Sequence, residues 1–380
     1  VTRGPSARQI RALARIAVAC ATWLVLLLPT LLAARGLGAP ARPEELACLA
    51  RAAGADASGL ETAPARAFFA RAGGFAPLPD EAAARQQAVV RARTWQLATL
   101  LATTFALHTA VVLARGRLHA LLACAAFALL PPVACTGHVL RAEGPATALA
   151  TFACLLLVGV AAPAHGRARR SRWLLAPEPL RWGLAACAAG AIGFAVAMLP
   201  TQGGVLLAPG TVLLVAAAQM ALRTARLVRW GGWLRLPVRA MNQRLLPWTC
   251  LTLGAPAAAL AMLGRALRGP ADAVATSLPG DGVLPTGVAG FVFGAIAALG
   301  AVVAVVQVGG SLRRTGRITG ALVLFAVVAI TGAARVQAAP ERDGLPLAPA
   351  VAVLVAEGAY AVLALASRAT GARRRAVTAP

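Results

Sequence analysis

"VLVAEGAYAVLALAS", residues 353–367, is an apolar run of membrane character with one carboxylate, Glu357, set inside it. Similar runs recur along the 380 residues, divided by short Arg-rich pieces. An α-helix of about 20 such residues crosses a hydrocarbon core of about 30 Å, at about 1.5 Å per residue. Hydrophobic residues make up 59% of the chain and charged residues 13%. Length alone would suggest two or three soluble domains, but this composition overrides it. The expected fold is all-α: a polytopic transmembrane helix bundle of about ten spans.

The spans are predicted at 16–34, 95–114, 118–136, 147–164, 182–200, 204–222, 245–264, 286–308, 318–337 and 347–367. An even number places both termini on one side. Four parts follow: residues 1–34, a cytoplasmic N-terminus and first helix; 35–94, an extracytoplasmic helical loop or lid; 95–367, a nine-helix bundle; and 368–380, a basic cytoplasmic tail. The first span follows an Arg-rich start and ends in "LLAARGLGA", the pattern of a signal peptide. Its apolar stretch is long for one, so it reads as an uncleaved anchor.

All 37 basic residues are Arg, and the formal net charge is +24. Without Lys the chain has no Schiff-base or Walker-type lysine, which excludes several enzyme classes. The charge is distributed by side: the threading places 24 Arg with the termini and 13 on the opposite side. The acids divide the other way, with Glu178 alone on the Arg-rich side. This is the positive-inside pattern, and it predicts cytoplasmic termini in a bacterial plasma (inner) membrane, multi-pass. The excess charge then serves topology and contact with anionic headgroups of the lipid bilayer, and no nucleic acid partner is implied.

In the 35–94 segment, "RPEELACLARAAG" reads as a short helix, with Pro43 at an early position and Glu44 and Glu45 near the positive end of its dipole. "PDEAAARQQAVVRAR" opens in the same way and has no breaker before residue 95. It is predicted to run into the second span as one helix of about 35 residues, longer than a bilayer requires. Phe68, Phe69 and Phe75 are expected on the outer membrane face or capping the bundle. Pro131-Pro132, Pro209-Gly210 and Pro256 interrupt the third, sixth and seventh spans. Gly290 and Gly294 are spaced for close helix packing.

No signature of a cofactor site appears, and neither a P-loop, G-x-S-x-G nor H-E-x-x-H is present. "CTGH" at 135–138 offers two metal ligands where a structural zinc takes four, so no metal is predicted. The Arg/Trp-rich loop 223–244 suits the membrane interface or a cytoplasmic or membrane partner.

Glu357 is the eleventh of 21 residues in its predicted span, about 15 Å from the outer edge. A charge at that depth costs several kcal/mol unless it is paired or protonated. His108, fourteenth of 20 in the second span, reaches a similar depth and is the expected partner, with Tyr360 as a donor from nearly the same face. These three are the candidate proton- or ion-binding residues. The leading expectation is a permease-like protein, possible proton coupling included. The alternatives are a membrane enzyme acting on lipid-linked substrates at the outer face, with Glu143, His138, Asp272, Asp281 and Asp343 as candidates, or a non-catalytic subunit of a membrane complex.

Overall fold

The computed structural model describes residues 7–52, 67–68, 70–72, 81–161, 187–188, 190–195, 198, 284, 287–314 and 344–377. Among them the secondary structure is helical, with no strand. The helices are α1 (Ala7–Ala34), α2 (Pro43–Ala52), α3 (Ala82–Ala114), α4 (Arg117–Leu129), α5 (Pro131–Ala134), α6 (Glu143–Ala161), α7 (Gly287–Arg314) and α8 (Gly344–Val377). Among the described residues, three stretches are long and apolar enough to cross a membrane: Ile16–Ala34, Ala82–Ala114 and Gly344–Arg368. The predicted spans at 204–222, 245–264 and 318–337 and the loop 223–244 lie outside the described residues.

The helix α3 is the continuous 33-residue element that an uninterrupted sequence predicts, and α2 starts at Pro43, which has no N–H to leave unpaired there. The third predicted span is not one helix. Leu130 takes an extended conformation ahead of Pro131, ending α4 and starting the one-turn α5. The steric demand of a proline on the preceding residue accounts for the break. The α3–α4 corner turns at Gly116, whose φ of 108° suits a residue without a Cβ. There the amides of Arg115 and Gly116 both donate to the Val111 carbonyl.

Small and branched apolar residues make the core. Leu100, Leu107 and Val111 of α3, Ala123 and Phe127 of α4, and Ala348, Ala352 and Leu354 of α8 pack into one buried cluster. Alanines on α4 and α8 let the backbones approach closely. A smaller cluster of Leu49, Ala72, Val89, Ala92 and Leu140 joins α2 to the start of α3, with Phe68 against it.

Paired contacts give the relative helix directions. Trp23 meets Phe105 edge-on, and Arg93 reaches the Gly36 carbonyl, so α1 and α3 are antiparallel. At one end of α8, Leu345 shares a cleft with Thr99 and Phe127; further along, Glu357 meets Arg115 and approaches His119. Thus α8 runs with α3 and against α4. Gly144 abuts Gln96 and Thr147 lies by Thr103, so α6 also runs with α3. The helix α7 packs closely on α8: a methyl added at Gly300 would overlap the Leu354 carbonyl and press on Gly358, and one at Gly358 would overlap the Ile296 carbonyl.

The close approach lies elsewhere on α7 than expected. Gly294 makes only an ordinary contact, with Leu284, whereas Gly300 and Gly358 bring the two backbones together.

Candidate functional site

Glu357 sits where α8 changes character. Residues 347–356 ahead of it are buried in the bundle, while Tyr360, Val362, Leu363 and Leu365 beyond it are exposed among the described residues. Its carboxylate is 2% exposed and takes a two-pronged contact from Arg115, the Nε to one oxygen and an Nη to the other. A planar guanidinium meets a carboxylate well in this way. His119 extends from the first turn of α4, its Nε2 3.8 Å from a Glu357 oxygen. That is too far for a hydrogen bond, and the buried Nε2 has no hydrogen-bond partner. The His119 ring stacks on Tyr360, centroids 3.9 Å apart and planes tilted by 33°.

The expected partner of Glu357 is therefore corrected. The structure brings Arg115 and His119 to the carboxylate instead of His108, and Tyr360 packs on the histidine. His108 lies on α3 about 10 Å, or two turns, before Arg115. Glu357 stays in the middle of its own apolar stretch, Gly344–Arg368, and the packing sets it beside the α3–α4 corner, where Arg115, Arg117 and His119 collect. Sequence alone could not join Arg115 to a residue 242 positions away. The available sign was the knot of polar residues in "ARGRLH", 114–119, directly after a long apolar stretch.

A second ion pair lies three turns into α3. Arg93 and Glu45 both have fully buried side chains and meet at 2.6 Å. Arg93 Nε donates to the second carboxylate oxygen at 3.0 Å, and its Nη groups donate to the carbonyls of Gly36, Leu37, Ala39 and Pro40. Glu45 also accepts from the amides of Arg42 and Leu140. Burial alone would push the Glu45 carboxyl up. The hydrogen bonds from Arg93, Leu140 and Arg42, with the Arg93 charge, outweigh it and hold the group below the usual carboxylate range. Gln86 ties the same loop through the Ala41 amide and the Ala39 carbonyl.

This latch was missed in the sequence, where Glu45 read as a helix-dipole residue. The signal was periodicity: Arg93 lies on one face with Val89, Gln96 and Leu100, an inward position for an arginine.

Of the outer-face enzyme candidates, His138 lies against Gly36 beside the latch, and Glu143 pairs with Arg141 at 3.7 Å. Burial and the Arg93 and Arg42 charges hold the His138 imidazole below its usual value, opposed by Glu45. Asp272, Asp281 and Asp343 fall outside the described residues. No group of three or more His, Cys, Asp or Glu side chains able to hold a metal occurs among the described residues.

Comparison with known proteins finds no matching family model, no matching curated protein and no matching solved structure.

Proposed function

We propose that this chain is a multi-pass permease of a bacterial plasma membrane, proton-coupled through Glu357, in which the Arg115–Glu357 pair closes the cytoplasmic end. The observation that carries the reading is the pairing itself. A carboxylate in an apolar helix is held by one guanidinium, with the unpartnered Nε2 of an imidazole 3.8 Å away, where the packed half of α8 ends. A proton arriving at Glu357 removes its charge and releases Arg115. The α8 segment can then part from the α3–α4 corner, and His119 is placed to take up or pass the proton. The latch at Arg93 stays closed through this step, so movement concentrates at one end. The positive-inside pattern supports cytoplasmic termini, with the 45–90 segment outside.

The test uses a reporter cysteine in place of Ala123, a buried residue one turn after His119 on α4. In the full-length protein it should be shielded from N-ethylmaleimide, as judged by peptide mass spectrometry. Glu357→Gln, which keeps the shape and removes the charge, should speed its labelling about tenfold, the ratio that about 1.4 kcal/mol of lost closed-state stability gives. Labelling at the same rate in both proteins would refute a gate at this pair.

A further inference from the structure

Gln96 is fully buried, and neither its amide nitrogen nor its amide oxygen has a hydrogen-bond partner. Leaving both unpaired in an apolar bundle costs several kcal/mol. The cost is that of a residue kept for something other than packing. The amide lies in a cleft between α3 and α6, walled by Thr99, Thr103 and Thr147, with Phe127 and Leu345 as its apolar side. The space within it, about 200 Å³ together with the part open to solvent, is too narrow in this conformation to hold a water molecule. A methyl on Gly144 would overlap the Gln96 amide, so α6 presents a glycine where that amide needs room.

The hydrogen-bonding inventory defines what the cleft would accept. Each threonine hydroxyl donates to a carbonyl of its own helix: Thr99 to Gln96, Thr103 to Thr99 and Thr147 to Glu143. Their lone pairs are left as acceptors. Gln96 adds two N–H donors and a further acceptor. None of the lining side chains is charged. We infer that the Gln96 cleft is the substrate site of the permease proposed above, and that its substrate is a small neutral polyhydroxylated solute, for which glycerol serves as the probe. Hydroxyl groups supply both donors and acceptors, the neutral lining selects against ions, and Phe127 and Leu345 receive the carbon backbone. The walls stand closer than the width of a water molecule, so entry requires α6 to move away from α3.

The inference rests on the permease reading, and its test uses a separate readout. Full-length protein is placed in lipid vesicles, with and without an inward proton gradient, and glycerol entry is followed by light scattering as the vesicles swell. Wild type should admit glycerol faster than protein-free vesicles. Gln96→Leu should cut that excess about tenfold, as loss of hydrogen bonds to a bound hydroxyl implies. Its melting temperature in detergent should be unchanged or higher, because an unpaired buried amide has been removed. Three results would overturn the inference: no protein-dependent entry, entry by Gln96→Leu equal to wild type, or loss of entry together with a lowered melting temperature, which would make the amide a structural contact. The gate is judged separately by labelling of the reporter cysteine. Loss of entry in Gln96→Leu, with no labelling response to Glu357→Gln, would keep the site and reject the gate.

Discussion

One arginine–glutamate pair lies three turns into α3 and another at its C-terminal corner, and the two are built to different specifications. At the Arg93 end both side chains are fully buried, and the guanidinium is surrounded by acceptors: two carboxylate oxygens and four backbone carbonyls. At the Arg115 end the arginine is 15% exposed, and among the described residues the glutamate is its only acceptor. The two arginines are 22 residues apart, about 33 Å along a helix and close to the thickness of a hydrocarbon core. A saturated pair resists change, because breaking it orphans many groups at once. A pair with a single partner and a route to water can open. The same two residue types thus make a fastening at one end and a candidate switch at the other.

The largest expected effect tests the fastening. Arg93→Ala leaves Glu45 buried without its counter-charge and should cost about 3–5 kcal/mol. Thermal unfolding in detergent should show a much larger drop than for Arg115→Ala, whose guanidinium is part-exposed and has one acceptor among the described residues. Equal losses would erase the distinction between the two ends.

Next is the question of what holds α8 beside the switch. Gly358→Ala or Gly300→Ala forces a methyl against a facing backbone carbonyl and should destabilise by about 1–3 kcal/mol. Gly294→Ala, with only one ordinary contact, should stay within about 0.5 kcal/mol. If all three behave alike in unfolding measurements, the α7–α8 crossing does not anchor the switch region.

Glu357→Gln should lower stability by only about 1 kcal/mol, because the amide keeps a hydrogen-bonding oxygen and Arg115 can extend its head to water. A loss as large as that of Arg93→Ala would mark this end as a second fastening.

The smallest effect is a graded response to acid at the latch. His138 binds its proton less readily folded than unfolded, so stability should begin to fall as pH drops below the ordinary histidine value of 6.5. Glu45, with its folded value lowered, contributes stability that is present above the ordinary 4.5 and lost as pH falls through the folded value. Unfolding midpoints across pH should therefore show two steps, and His138→Gln should diminish the first.

Much of the helical content was legible beforehand. The unbroken stretch from "EAAARQQ" into the second span is α3, Pro43 opens α2, and Pro131 divides the third span, each through a local property of one residue or run. The site was half legible. Glu357 is conspicuous because a carboxylate in an apolar run is rare, and Tyr360 lies on nearly the same helical face. His108 was chosen by depth, but depth along separate helices does not say which helices are neighbours.

By itself the sequence determined the class of fold and the positions of several helices, because burial in hydrocarbon demands long apolar segments with their backbone bonds satisfied internally. It also determined the asymmetry of charge along the chain. Only the tertiary structure decided that α8 lies against the α3–α4 corner, that Arg115 rather than His108 meets Glu357, that Arg93 is enclosed by the 36–45 segment, and that Gly300 and Gly358 bring α7 and α8 together. Pairings of this kind join residues far apart in the chain. They follow from which helix faces fit together, and a one-dimensional pattern of hydropathy holds no record of that fit.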